Sequence, residues 1–312
     1  MDCTLRDGEQ TSGVSFLPHE KLMIARTLLK DVNVDRIEVA SARVSEGEKD
    51  AVKMICRYAK QIGKADSVEV LGFVDGYKSI DWIVECGCQT VNLLTKGSLK
   101  HCTQQLGKTP EEHIADIIDT ILYARSRGIS VNLYLEDWSN GMKDSPEYVY
   151  QMMDALCTTD VKRFMLPDTL GIMNPLQVIE YFRKMVKRYP NLHFDFHAHN
   201  DYDLAVSNSL AAVLSGAKGL HVTVNGLGER DGCQEEEHST QTEDGEDVRE
   251  EHHIRVERHR EHSRNAVERE YQVAELYHEH RHEERGEEQT ACLAYEEAVA
   301  LKLCVYASGL RE

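Results

Sequence analysis

The stretch TVNLL from Thr90, PEEHIADIIDTILYARSRG from Pro110 and SVNLYLE from Ser130 decides the fold. TVNLL and SVNLYLE are short and rich in apolar and β-branched residues, which is typical of strands. The segment between them opens with a proline and has apolar residues at helical spacing, which predicts a helix. Because a strand, a helix and a strand follow one another, we expect the two strands to pair in parallel through a right-handed crossover.

The same alternation recurs along the first 230 residues. The other β-rich runs are DCTL from Asp2, DRIEVA from Asp35, SVEVLGFV from Ser67, KRFML from Lys162, HFDFHAH from His193 and GLHVTV from Gly219. Helices are expected to open at Pro18 and at Asn174-Pro175 as well. The chain therefore contains eight strand-forming runs with amphipathic stretches between them.

Eight such units in about 225 residues predict an α/β fold of the (β/α)8 TIM-barrel type. An open doubly wound sheet usually has about five to seven strands. In addition, no glycine-rich phosphate fingerprint follows the first run, where the chain reads RDGEQ from Arg6. We therefore expect one barrel domain over residues 1–230, with its last helix in doubt.

Composition changes abruptly after residue 230. Residues 1–230 have a net charge of −5, whereas residues 231–290 hold 20 acidic side chains, 8 arginines, 8 histidines and no lysine. Such a segment has little apolar surface to bury, so we expect an acidic, His-rich tail that is partly helical or disordered. A metal-binding histidine tract is the alternative, which irregular spacing weakens. Residues 291–312 have apolar residues at helical spacing and predict a C-terminal helix.

The composition also excludes several classes of partner and compartment. A net charge of −18 argues against nucleic acid or an anionic membrane as the main partner. No uncharged apolar run is long enough to span a bilayer, and the N-terminus does not resemble a signal peptide. Nine scattered cysteines indicate reduced thiols, which predicts a cytoplasmic protein.

Candidate metal ligands follow two of the predicted strands. Reacting groups in this fold collect at the C-terminal ends of the strands. His197 and His199 are two residues apart, so both imidazoles point to one side. Asp7 follows the first strand, which adjoins the eighth in a closed barrel. Two histidines and one carboxylate leave positions open for substrate, which indicates a catalytic Mn, Zn, Mg or Fe site, although an HxH pair alone is a weak signal.

Other polar residues near the strand ends have two interpretations. Arg6 is able to stabilise an enolate or alkoxide beside a metal, or to form a structural ion pair with Glu136 or Glu38. Thr169 and His101 are able to donate hydrogen bonds to a substrate carboxylate, or to cap loops.

Four motifs resemble a known family. DCTLRDGEQ from Asp2 resembles the D-T-T-L-R-D-G-x-Q opening of the α-isopropylmalate synthase/homocitrate synthase family, within the DRE-TIM metallolyases, which share an HMG-CoA-lyase-like barrel. LPDTLG from Leu166, HAHND from His197 and NGLGER from Asn225 are similar to its later motifs. They occur in the family's order over about 230 residues, so the match is specific.

The resemblance implies a Claisen-type condensation of acetyl-CoA with a 2-oxo acid, followed by thioester hydrolysis, as in 2-isopropylmalate synthesis on the way to leucine. It implies a divalent metal (Mn, Mg or Zn) bound by Asp7, His197 and His199 and chelated by the 2-oxo acid. Arg6 would polarise the keto oxygen, with Glu136 as its partner near the acetyl group. Thr169 would bind the substrate carboxylate, and His101 would line the 2-oxo acid pocket.

The chain departs from the family pattern after Arg230. Cys233 stands where the family has an asparagine as its fourth metal ligand. The C-terminal subdomains, which in the family help to bind acetyl-CoA and to form the homodimer, have no identifiable counterpart. We hypothesise that the residues after about Arg230 are not homologous to the family. Three alternatives therefore stay open. They are citramalate or homocitrate synthesis, a lyase or aldolase activity, and a catalytically silent barrel that binds metal or a 2-oxo acid.

Overall fold

The computed structural model describes residues 1–229. The predictions for residues 231–290 and 291–312, for the last barrel helix and for Cys233 lie outside these residues. The domain boundary expected at residue 230 lies at the edge of these residues and stays a prediction.

Within residues 1–229, seven parallel strands form one sheet in which each strand pairs with its neighbour in the chain. They are β1 Ile37–Ser41, β2 Val68–Phe73, β3 Thr90–Lys96, β4 Ser130–Glu136, β5 Val161–Asp168, β6 Phe194–Ala198 and β7 Gly219–His221. Each corresponds to one of the β-rich runs, so the alternation in the sequence correctly predicts the order of the sheet.

The N-terminal segment closes the sheet into a barrel. Asp2 forms parallel bridges to Ile37 of β1 on one side and to Val222, directly after β7, on the other. The Asp2 carbonyl accepts from the Glu38 amide at 2.8 Å, and the Cys3 amide donates to the Val222 carbonyl at 2.8 Å. The TIM barrel is therefore confirmed, with its first strand reduced to a single bridging residue.

Helices connect the strands and lie outside the sheet. They are α1 Pro18–Arg26, α2 Glu46–Gln61, α3 Lys78–Cys86, α4 Pro110–Ser126, α5 Trp138–Asp144, α6 Pro146–Leu156, α7 Pro175–Arg188 and α8 Ala205–Leu214. The starts expected from Pro18 and Pro110 are confirmed, and Thr109 caps α4 by accepting from the Glu112 amide at 3.2 Å. Within residues 1–229, no helix has the length and apolarity needed to cross a membrane.

Side chains alternate between the helix layer and the barrel interior, as a period of two requires. On β6, Phe196 packs edge-on against Phe182 of α7, with ring centroids 5.4 Å apart. Asp195 and His197, which alternate with the phenylalanines, point into the barrel, where their partners are Arg36 and His221. The interior is therefore polar near the strands that meet at the closing segment.

Candidate functional site

Three side chains converge where the N-terminal segment meets β6. Asp7 lies in the turn after the closing segment, His197 lies in β6, and His199 follows it directly. One ligand atom from each of the three residues lies within 4.8 Å of the other two. Asp7 and His197 are buried and His199 is half-buried. A divalent cation about 2.0–2.2 Å from each atom holds its donors about 3–3.6 Å from one another, so small shifts of these side chains would let all three bind one such ion.

Arg6 extends alongside this cluster and is held by two carboxylates. Its Nε donates to Glu38 Oε2 at 2.6 Å, and a terminal nitrogen donates to Asp7 Oδ1 at 2.9 Å. Burial lowers the pKa of Arg6, but the charges of Glu38 and Asp7 more than reverse this, so its pKa lies well above the ordinary value. The guanidinium is therefore a permanent positive charge beside the three donors.

Glu136 lies on the opposite side of the barrel from Arg6. It ends β4, where the register places it directly beside Lys96 of β3, and the two form an ion pair. Four strand positions separate β4 from the closing segment in either direction around the barrel. The expected pairing of Arg6 with Glu136 is therefore not formed. The alternative pairing of Arg6 with Glu38 is the one that the structure shows.

His101 and Thr169 both contact Asp137, which follows β4. His101 Nε2 lies 3.4 Å from Asp137 Oδ2, and the Asp137 amide donates to Thr169 Oγ1 at 2.8 Å. Ser98 donates to the same carboxylate at 2.6 Å, and Ser98 and Asp137 line an open cavity of about 400 Å³. The two expected substrate-binding residues thus belong to one group at the ends of β3, β4 and β5, a link that the sequence did not indicate.

Sequence reasoning missed His221, although it lies in the quoted run GLHVTV. The register of β6 and β7 places His221 beside His197, and their Nδ1 atoms are 3.2 Å apart. The Tyr134 hydroxyl lies 2.9 Å from the same His221 Nδ1. Burial is the main cause that lowers the pKa of His221, so its imidazole is neutral at pH 7. The available signal was a histidine inside a predicted barrel strand, where alternate side chains point into the interior, as for His197.

Asp195 lies beneath His221 in a buried ion-pair network. Its carboxylate lies 3.3 Å from His221 Nε2, 2.8 Å from His193 Nε2 and 2.5 Å from an Arg36 nitrogen. Burial alone would raise the pKa of Asp195, but hydrogen bonds from the two histidines and the charge of Arg36 hold it well below its usual range. Asp195 is therefore an ionised hydrogen-bond acceptor in the barrel interior.

Comparison with known proteins decides the family. A family model described as HMGL-like matches residues 1–239. The chain belongs to the HMGL-like family. The resemblance noted in the four motifs is thereby confirmed, although the match alone does not separate one activity from another.

Relatives of this HMGL-like chain include synthases that are named after different products. A probable 2-isopropylmalate synthase of Ignicoccus hospitalis is 36% identical over 231 residues, which are 74% of this chain and 56% of the relative. An (R)-citramalate synthase of Methanocaldococcus jannaschii is 35% identical over 232 residues, 74% of this chain and 45% of that protein. The chain thus spans about half the length of these curated relatives.

A solved structure supports the fold independently. The HMG-CoA lyase of Bacillus subtilis superposes with a TM-score of 0.62 at 21% identity, covering 75% of this chain and 80% of that chain. At this level of identity the likeness supports the barrel and carries no statement about activity.

Proposed function

We propose that this chain is a metal-dependent acyltransferase that condenses acetyl-CoA with a 2-oxo acid. The 2-oxo acid is 2-oxoisovalerate and the product is 2-isopropylmalate. The convergence of Asp7, His197 and His199 within 4.8 Å, with Arg6 paired to Asp7, carries this proposal. The names of the relatives support the reaction class, since they are synthases of 2-isopropylmalate and citramalate.

The reaction forms one carbon–carbon bond and breaks one thioester. The methyl carbon of acetyl-CoA loses a proton and bonds to the keto carbon of the 2-oxo acid, whose oxygen gains a proton. Water then cleaves the thioester and releases the CoA thiol. Negative charge develops on the keto oxygen in the first step, so a cationic environment around that oxygen lowers the barrier.

Asp7, His197 and His199 would hold the divalent cation, which when bound supplies Lewis acidity to the keto group. Arg6 adds a fixed positive charge beside these donors, because Glu38 and Asp7 orient its guanidinium. Since its pKa lies well above the ordinary value, Arg6 stabilises the developing charge without giving up a proton.

The Asp137 group would bind the carboxylate end of the substrate. Asp137 orients His101 and Thr169 through contacts of 3.4 and 2.8 Å, so both side chains are placed before substrate arrives. Glu136, neutralised by Lys96, would lie near the acetyl group, independent of Arg6.

Release of CoA tests the proposed function. The full chain is assayed for free thiol with acetyl-CoA, Mn²⁺ or Mg²⁺, and each of 2-oxoisovalerate, pyruvate, 2-oxoglutarate and oxaloacetate. We expect turnover with 2-oxoisovalerate, and loss of turnover in Asp7→Ala but not in Asp31→Ala, an exposed carboxylate. Preference for pyruvate or 2-oxoglutarate would indicate a citramalate or homocitrate synthase. No thiol release with any of the four acids would reject the proposal.

A second candidate is a barrel that binds metal and 2-oxo acid without turnover. Cys233 at the place of the family's asparagine ligand favours it, since a thiol changes both charge and metal preference. Calorimetric binding of 2-oxoisovalerate in the presence of Mn²⁺, without thiol release, would establish this alternative.

A further inference from the structure

A continuous chain of hydrogen-bonding groups joins Asp195 to the candidate metal ligand His197. His221 lies between them, with Nε2 3.3 Å from Asp195 Oδ2 and Nδ1 3.2 Å from His197 Nδ1. The parallel register of β6 and β7, which places His197 and His221 side by side, fixes this order. All three side chains are buried, so bulk water does not compete for these contacts.

The ionised carboxylate of Asp195 determines which group donates and which accepts in each of these hydrogen bonds. Its carboxylate is paired with Arg36 at 2.5 Å and lies 2.8 Å from His193, so it is ionised and only accepts hydrogen bonds. His221 must then carry its hydrogen on Nε2 to donate to Asp195. A neutral imidazole protonated at Nε2 has a lone pair at Nδ1 and accepts there.

Resting on the metal site proposed above, we propose that His221 is a positioning residue that selects the tautomer of His197. His197 donates its Nδ1 hydrogen to His221 Nδ1, which leaves the lone pair of His197 on Nε2. That Nε2 lies 4.0 Å from Asp7 Oδ2, on the side of the three candidate ligands. Asp195 and His221 thus hold His197 in the form that binds a cation.

Tyr134 also contacts the nitrogen of His221 that accepts from His197. Its hydroxyl lies 2.9 Å from the same His221 Nδ1, so Tyr134 and His197 share one acceptor. Removing the hydroxyl leaves the acceptor to His197 alone. Tyr134→Phe is therefore expected to preserve or strengthen cation binding, although Tyr134 is as buried as the other members of the group.

A second cation at Cys3 is the competing interpretation. Ligand atoms of Cys3, His197 and His221 also lie within 4.8 Å of one another. His221, however, already faces Asp195 with one nitrogen and both Tyr134 and His197 with the other. A cation at Cys3 would have to displace these contacts, and with Co²⁺ it would produce a thiolate charge-transfer band.

Two substitutions at His221 separate hydrogen bonding from packing. His221→Asn keeps an acceptor near the Nδ1 position but loses the ring, whereas His221→Phe keeps a ring and loses the acceptor. Calorimetric titration with Mn²⁺ is expected to show affinity about 10- to 100-fold weaker for the Phe variant and nearly unchanged for the Asn variant. His113→Asn, at a buried histidine of α4 outside this network, serves as the matched control.

The ring nitrogens of His197 give a direct readout that does not depend on activity. Long-range ¹H–¹⁵N spectra of the metal-free, histidine-labelled full chain, assigned by substitution, are expected to show His197 protonated at Nδ1. His197 protonated at Nε2, equal Mn²⁺ affinities of the Phe and Asn variants, or a thiolate band with Co²⁺ that Cys3→Ser abolishes would each overturn the proposed role of His221. If the wild-type chain binds no Mn²⁺, the proposed function fails. The ¹H–¹⁵N spectrum of the His197 ring nitrogens then decides by itself whether His221 selects the tautomer.

Discussion

The two sides of the barrel are held together by different means. On one side, which we call the ladder side, β3 and β4 pair continuously from Thr90↔Ser130 to Lys96↔Glu136. On the other side, which we call the seam, Asp2 is the one described residue that bridges β1 and the residue after β7. Arg6 and Asp7 follow the seam at once, so the candidate metal site lies where backbone pairing is shortest.

Side chains at the seam replace the missing ladder. Lys21 of α1 is fully buried and forms ion pairs with Glu9 at 2.5 Å and with Glu48 at 2.6 Å. Its ammonium also lies 3.2 Å from the carbonyl of Leu5, the residue before Arg6. The position of the Arg6–Asp7 turn therefore depends on a buried charge network, whereas Glu136 is placed by strand register.

The largest change in the free energy of unfolding is expected on the ladder side, where two backbone segments pack too closely for a side chain between them. A Cβ added at Gly141 of α5 would lie 2.0 Å from the carbonyl oxygen of Gly97, just after β3. Because the contacted atoms belong to backbone rather than to the end of a flexible side chain, we expect Gly141→Ala to lower the free energy of unfolding by about 5 kcal/mol or more. Gly47→Ala, near the start of α2, is the control: its Cβ would lie 3.6 Å from Ser45 Oγ, an ordinary contact, and it should stabilise by about 0.4–1 kcal/mol. Urea unfolding measures both, and similar midpoints would contradict the packing at Gly97.

Loss of Lys21 is expected to have the next largest effect. Lys21→Met leaves Glu9 and Glu48 without their cation, which should cost about 3–5 kcal/mol. Because Leu5 loses its contact as well, Mn²⁺ binding should weaken together with stability. Lys30→Met, an exposed residue of the same region, should change stability by less than about 0.5 kcal/mol. Urea unfolding and Mn²⁺ titration of both variants check this. A Lys21 variant as stable as the control would contradict the claim that these buried ion pairs stabilise the seam.

A change at Glu38 should affect turnover more than metal binding. Glu38 holds Arg6 Nε at 2.6 Å but contributes no atom to the three-donor cluster. We expect Glu38→Gln to reduce CoA release about 10- to 100-fold while Mn²⁺ affinity stays near that of the wild type. Thiol-release kinetics and calorimetry separate the two, and unchanged kcat would show that the orientation of Arg6 does not matter.

The last expected effect is a pH dependence on the ladder side. His113 in α4 accepts from the Lys96 amide at 3.1 Å, and burial lowers its pKa from 6.5 to about 4. The unfolded chain takes up this proton near pH 6.5 and the folded chain only near pH 4, so stability from this group is complete above the unfolded pKa. It declines as the pH falls from about 6.5 to 4.

Replacing His113 should therefore flatten the stability profile in that window. Urea unfolding of His113→Gln, compared with the exposed His19→Gln, measures the slope. A slope equal to that of the control variant would contradict a neutral, buried His113.

Local patterns in the sequence predict the strands and helices. They do not predict contacts between residues on different strands. TVNLL, SVNLYLE and the helix between them were recognised because periodicity and proline positions are local properties. Likewise, the pairing of Asp7 with His197 and His199 followed from closing a barrel. For the ion pair of Arg6 the sequence left Glu136 and Glu38 open, and the structure shows Glu38. Both are strand residues, so only strand order distinguishes the adjacent one.

Register explains the residues that were missed altogether. His221 and Tyr134 stand in runs that were identified as strands, but their contact with each other joins β4 to β7 across the barrel interior. The Asp137 contacts with His101 and Thr169 similarly join three separate loops. No pattern within one strand or loop indicates such contacts.

Titration of the full chain with Mn²⁺, comparing the wild type with Asp7→Ala and Asp31→Ala, tests the seam site most directly. Residues 231–290 hold 20 acidic side chains and 8 histidines, which are able to bind Mn²⁺ themselves. The measurement therefore rests on the difference in Mn²⁺ binding between the three proteins, not on the total amount bound. We expect one tight site in the wild type and in Asp31→Ala that is absent from Asp7→Ala. Identical isotherms for all three proteins would contradict a cation site formed by Asp7, His197 and His199.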